Sequence, residues 1–256
     1  LAIGSDGIGA MTGGAFATKT PEEINAMLGE LLARPMEAVL YQGFFVVLTV
    51  WVVARGVSGG IEKAVTLLMP AFFVMLIILT VVALVQGDAG AAFAYLFTPD
   101  LQALADGIAD RSILSTALGQ AFFSIGLGSA LMITYVMYMR KDADNPGSAT
   151  IVVGADTAVA IIAGLAIFPI VFQFNLEPGD GPGLMFGTLP LAFQQMPLGA
   201  LFGAVFFLMA LFAALTSSIS LLEPAVAWRD GDINVPPEDR KKRRLTAAIG
   251  LGAILF

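Results

Sequence analysis

No charged residue occurs between Ser112 and Met139, and the same is true from Ala64 to Gly87, from Thr157 to Leu176 and from Gly181 to Leu222. Between Arg34 and Arg55 the single charge is Glu37, and Leu245 to Phe256 is again uncharged. A helix needs roughly 20 predominantly apolar residues to cross the hydrocarbon of a bilayer. Runs of this length, repeated along one chain, point to an all-α, polytopic membrane protein whose first partner is the lipid bilayer. A water-soluble helical core would need charged faces on its helices, and these runs have none. Composition agrees: 57% of residues are hydrophobic and 13% charged, against about 45–50% and about 25% in soluble domains.

Cysteine and histidine are both absent. Disulfides, thiolate or imidazole metal sites and Ser-His or Cys-His nucleophiles are therefore excluded. A Ser-Lys pair survives on composition, but no lysine falls inside an apolar run, so the chain is not expected to be an enzyme. The opening LAIGSDGIGAM has neither a basic n-region nor an initiator Met, unlike a signal peptide. The last apolar segment is too short to cross. The expectation is an internal fragment of a longer protein.

The connections between runs carry a clear asymmetry. Arg55 and Lys63, Arg140 and Lys141, and Arg229 with the cluster RKKRR at 240–244 hold ten of the thirteen basic residues. By the positive-inside rule these segments face the cytoplasm. Lys19, Arg34 and Arg111 lie opposite, among most of the acids. The net charge of −7 then describes an acidic outer face and gives no reason to expect a nucleic-acid partner. Residues 1–35 are expected outside. Membrane spans are expected at about 36–54, 62–86, 112–139, 147–175 and 198–226, with a truncated one at 243–256. An outer loop at 87–111 contains the turn signal Thr98-Pro99-Asp100 and a short helix. Residues 177–197, studded with Gly and Pro, read as an outer hairpin dipping onto the bundle, and 228–244 as a cytoplasmic loop.

Three places break the rule that mid-membrane segments are featureless. The first is FFSIGLGSALMITY, Phe122 to Tyr135, where Ser124, Gly126, Gly128 and Ser129 interrupt a span. Glycine inside a helix costs roughly 1 kcal/mol relative to Ala, and unpaired backbone in lipid costs several more. Small residues here allow close helix packing, or the helix unwinds and offers carbonyls and N–H groups to an ion and a solute. The second is AALTSSIS, Ala213 to Ser220, where hydroxyls beside a carbonyl form a hard-oxygen set suited to a small cation, or polar glue between helices. The third is Asp156, whose carboxylate within a span costs about 2.5–3.5 kcal/mol. A metal cation or a proton would offset that charge; alternatively the acid snorkels near the inner boundary.

With these residues in place, the chain resembles the prokaryotic branch of the neurotransmitter:sodium symporter family. The resemblance runs in order through ARGVSGGIEKAVTLLMP, TPDLQAL, LGQAFFSIGLGSALMITYVMYMRKD, IFPIVFQF, GPGLMFGTLPLAF and AALTSSISLLEP. It implies a twelve-span protein of a prokaryotic cell membrane, of which this chain holds about the fourth to ninth spans. It also implies two inverted repeats with discontinuous helices at the site. Carried over residue by residue, one sodium site uses the Ala213 carbonyl with Thr216 and Ser217, and the other uses Ser124 and Asp156. The solute, an amino acid or similar zwitterion, would be lined by Phe123, Ser124, Gly126, Ser129, Ser217 and Leu221. Phe123 would close over it from outside, and Tyr138, with Asp230 as an acidic partner, would belong to an inner gate. Many relatives carry Asn at the Asp156 position and, when chloride-dependent, a Ser one turn later where this chain has Ala160. Sodium symport without chloride is the implied activity. A proton-coupled transporter with Asp156 as carrier is the alternative. A pore would need rings of charge or filter repeats, and the chain shows neither.

Overall fold

The structure, a computed structural model, describes residues 29, 33–109, 111–139, 142–176, 184–230 and 237–255. Among these, α1 is Pro35–Ala54, α2 is Val57–Gln86, α3 Ala89–Phe97, α4 Leu101–Ala109, α5 Ser112–Ile125 and α6 Leu131–Tyr138. There follow α7, Asn145–Gln173, a π turn at Leu184–Thr188 running into α8, Leu189–Gln195, then α9, Gly199–Asp230, and α10, Pro237–Leu255. The fold is all-helical. Four helices (α1, α2, α7 and α9) are long and apolar enough to cross a membrane.

Local chemistry explains where these helices start. Pro35 opens α1 with Glu37 in its first turn, a proline at N1 and an acid at the positive end of the helix dipole. Asp144 caps α7, its side chain accepting from Gly147 N at 3.0 Å. Asp88 caps α3 in the same way through Ala91 N at 2.9 Å. The turn expected at Thr98-Pro99-Asp100 separates α3 from α4, so the loop at 87–111 holds two helices where one was expected. Prolines 70, 169 and 224 lie inside α2, α7 and α9. Long apolar helices tolerate this where neighbours take up the freed backbone groups. Near one such proline, Asp88 N donates to Pro169 O at 2.8 Å and pins α3 to α7.

Two apolar clusters hold the bundle. One joins α2, α7, α8 and α9 through Leu76, Ala83, Ile170, Leu189, Phe193 and Phe206. Thr80 adds a polar tie there, donating across to Ile162 O of α7 at 3.3 Å. The other joins α1, the start of α2, α9 and α10 through Val53, Ile61, Ile219, Val226 and Ala248. α9 passes through both and serves as the scaffold. Outward-facing side chains are apolar as well: Leu67 is 73% and Val85 78% exposed. In lipid such faces cost nothing, because association there rests on close packing rather than on hiding oil from water.

Of the hairpin expected at 177–197, residues 177–183 lie outside the described residues; the rest is the π turn and α8, whose Leu189 to Phe193 are buried. The cytoplasmic loop expected at 228–244 is largely helix, since α9 runs on to Asp230 and α10 begins at Pro237. Pro237-Glu238-Asp239 is a helix-start signature, a proline followed by acids in the first turn, and the basic cluster that follows forms the first turns of α10. Arg244 Nε donates to Val53 O at 2.9 Å, and Arg243 reaches Arg229 O at 3.3 Å. The ends of α1 and α9 and the start of α10 thus meet at one basic end of the bundle. Arg140 and Lys141 lie outside the described residues.

Candidate functional site

The interruption between α5 and α6 is a built feature. Gly126 is left-handed at φ 69°, ψ 33°, with Gly126 N bonded to Phe123 O at 3.1 Å and Leu127 N to Phe122 O at 3.0 Å. This paired pattern is the Schellman helix stop, and glycine enters it without a Cβ penalty. Gly128 follows at φ 91° and Ala130 at φ 59°, the latter storing about 1–2 kcal/mol as a non-glycine in the left-handed region. The Ser129 hydroxyl donates to Gly126 O at 2.6 Å and braces the loop. α6 then starts at Leu131, with Thr134 N and its hydroxyl both on Ala130 O. A helix end and a helix start therefore face each other across residues 126–130. The two helix ends carry opposite partial charges.

Asp156 stands about 18 Å along α7 from its Asp144 cap at 1.5 Å per residue, opposite the end of α5. The Ser124 hydroxyl lies 2.7 Å from both Asp156 carboxylate oxygens, donating to one of them. The two residues expected to share an ion are thus brought together across thirty-two positions of sequence. Both are exposed in this chain.

On α9 the structure sorts the hydroxyl cluster. Thr216, only 6% exposed, places its Oγ1 3.0 Å from both Phe212 O and Ala213 O. The Ala213 carbonyl and Thr216 hydroxyl are therefore adjacent oxygens, while Ser217 stays exposed beside them. Ser218 turns the other way and meets Thr49 of α1 at 2.8 Å, so for this residue the packing-glue reading holds. Ser220 accepts from the Tyr135 hydroxyl of α6 at 3.2 Å.

One cavity of about 850 Å³ lies between α2, the broken α5–α6 pair and α9. Phe123, Ser124, Gly126, Thr216, Ser217 and Leu221 line it, as does Ser220 of the hydroxyl cluster, together with Tyr135 and Glu62, which sequence reasoning did not single out. Ser129 and Ala213 do not form part of its lining, and Asp156 adjoins it through Ser124. Phe123 is 83% exposed, uncovered by any described part of the chain. Among the described residues no cluster of three His, Cys, Asp or Glu occurs. A cation here would be held mainly by hydroxyls and carbonyls, with Asp156 the nearby carboxylate, a hard-oxygen set of the kind alkali and alkaline-earth ions take.

Below the cavity, Tyr138 donates to Glu223 Oε1 at 2.6 Å, and Arg244 bonds Glu223 Oε2 at 2.5 Å. Glu223 is fully buried and the Arg244 side chain is 11% exposed. An acid that meets Tyr138 is thus Glu223; the side chain of Asp230, the partner expected from the sequence, lies outside the described residues. Glu223 lies about two turns before Asp230 on α9, within reach of both α6 and α10. A signal was present: Glu223 is the first charge after the run 181–222, and Arg244 the last before the final apolar run.

The model of the sodium:neurotransmitter symporter family matches residues 27–255. The chain belongs to that family. It is similar to the uncharacterized sodium-dependent transporter YhdH of Bacillus subtilis, with 38% identity over 231 residues, 90% of this chain and 49% of the relative. A sodium-dependent transporter of Haemophilus influenzae is 34% identical over 74% of this chain and 40% of its own length. The crystal structure of MhsT in complex with L-phenylalanine superposes with a TM-score of 0.79 at 38% identity, covering 97% of this chain and 54% of that one. The chain thus spans about half the length of the relatives it matches. Family and fold are those of membrane transporters rather than enzymes.

Proposed function

We propose that this chain is the site-bearing part of a symporter that couples inward sodium movement to uptake of an amino acid or related zwitterion across a prokaryotic cell membrane. In this reading α1, α2, α5 with α6, α7, α9 and α10 are crossings, about the fourth to ninth of twelve. The observation that carries it is the juxtaposition of a helix broken at Gly126–Ala130, with Ser124 on Asp156, and the Thr216–Ser217 oxygens across one cavity.

Two cation sites follow, one from Ala213 O, Thr216 and Ser217 and one from Ser124 and Asp156. Phe123, Ser124, Gly126, Ser217 and Leu221 surround the solute, with Ser129 bracing the broken loop, and the carboxylate and amine of the solute meet the half-helix ends. Phe123 closes the outer side. Tyr138, held by Glu223 and Arg244, closes the basic, cytoplasmic side. The bound cation beside the solute carboxylate couples the two bindings. Asp156 supplies a fixed negative charge in a low-dielectric site, and Ala160, one turn on, has no hydroxyl for a chloride; transport is therefore chloride-independent.

Uptake by the full-length protein in proteoliposomes tests this. Radiolabelled amino acids are presented in sodium, in potassium at the same pH, and in sodium gluconate. Accumulation is expected in the first and third conditions only. Uptake that persists in potassium and follows the proton gradient would assign the coupling to Asp156 as a proton carrier, and loss in gluconate would remove the chloride-independent part.

A further inference from the structure

The cavity extends beyond the residues assigned to ion and solute. From Thr216 and Ser217 its wall continues through Ser220 and Tyr135, bonded at 3.2 Å, to Glu62 of α2. Among the described lining residues Glu62 is the one that carries a charge. Its position is structurally enforced. Ile61 N and Gly60 N both bond to Gly56 O at 3.1 and 2.9 Å, winding the π turn Val57–Ile61, and a Cβ on Gly60 would collide with the Val52 carbonyl. Glu62 thus follows a wound turn and is the acid in the first turn of the α-helical part of α2, where the residue also lines the cavity. Lys63 is its neighbour in sequence, but adjacent residues on a helix point in different directions. No ion pair to the Glu62 carboxylate occurs among the described residues.

The surroundings give this carboxylate a task. The basic end carries Arg55, Lys63, Arg229, Lys242 and Arg243, and a rim of one sign raises the potential for a like-charged ion crossing it. A cation leaving Thr216 and Ser217 in that direction is repelled by the rim, and one carboxylate in the cavity wall lowers that barrier. On the symport reading above, we infer that Glu62 is a transient cation station: sodium released from the α9 oxygens passes the Ser220–Tyr135 pair and rests at Glu62 before entering the cytoplasm. The station changes the rate of passage and leaves the equilibrium affinity of the main sites unaltered.

The test uses the full-length protein in proteoliposomes under an inward sodium gradient, with radiolabelled sodium as probe and an equimolar mixture of the common L-amino acids as solute. Glu62→Gln is expected to slow sodium entry about tenfold, within the range that local charge changes ion access. Equilibrium sodium binding to the same variant in detergent should stay within about twofold of the wild type, and Glu62→Asp should restore most of the rate. Entry by Glu62→Gln within about twofold of wild type overturns the inference. So does a parallel fall of entry and equilibrium binding, or a failure of Glu62→Asp to recover. Wild-type protein that moves no more sodium than empty liposomes overturns the symport reading itself, and this inference with it.

Discussion

Arg244→Ala probes the buried charge pair that ties α6, α9 and α10 together. The substitution deletes the bond to Glu223 Oε2 at 2.5 Å and the bond to Val53 O at 2.9 Å. It leaves a fully buried carboxylate facing the Tyr138 hydroxyl at 2.6 Å. A hydrogen bond involving a charged group contributes about 1.5–3 kcal/mol, and breaking a buried pair from one side costs about 3–5 kcal/mol because the other charge is stranded. At about 1 °C per kcal/mol for a full-length protein roughly twice the size of this chain, the shift scaling inversely with size, the apparent melting temperature should fall by about 3–5 °C. Heating the detergent-purified full-length protein and following its monodisperse fraction by fluorescence-detected gel filtration reads this directly. The double variant Glu223→Gln/Arg244→Met removes both charges at similar volume and should recover at least half of the loss. An Arg244→Ala protein that melts within about 2 °C of wild type would refute the reasoning, as would a double variant no more stable than the single one.

Three further outcomes are expected. Thr216→Ala with Ser217→Ala removes two neutral oxygens at about 1 kcal/mol each, so the sodium concentration for half-maximal uptake should rise about tenfold or more; an unchanged sodium requirement rejects that ion site. Asp156→Asn keeps the shape at Ser124 but removes the charge, and should weaken sodium activation about tenfold, read from sodium titrations of uptake; equal titrations would detach Asp156 from the ion. Gly126→Ala places a Cβ in the left-handed region, at about 1–2 kcal/mol, and 2.8 Å from Leu131 Cδ1. It should depress uptake severalfold at normal membrane expression, and wild-type uptake would show that the break tolerates side chains.

Much of the architecture is legible in local sequence because membrane-length helices write themselves as charge-free runs. Asp144, Asp88 and the Pro237-Glu238-Asp239 start are likewise short-range signals, although the basic cluster that follows the last has the composition of a loop. The break at Gly126 to Ala130 is visible as misplaced glycine and serine, yet its form is not: the paired bonds to Phe122 and Phe123 and the strained Ala130 depend on where the chain must go next. The hydroxyls of Ala213 to Ser220 show the same limit. Four look alike in sequence, and the packing of α1 turns Ser218 toward Thr49 while Thr216 and Ser217 stay with the site.

By itself the sequence determined class, the membrane-length apolar helices, the basic end and the small set of polar residues lodged in apolar runs. These follow from costs paid residue by residue against lipid, which need no knowledge of neighbours. Tertiary structure alone decided which distant groups meet: Ser124 with Asp156, Tyr135 with Ser220, and Glu223 with Tyr138 and Arg244. Such pairings are set by the rotation and offset of whole helices as two apolar clusters pack around α9. No residue's own chemistry encodes that geometry.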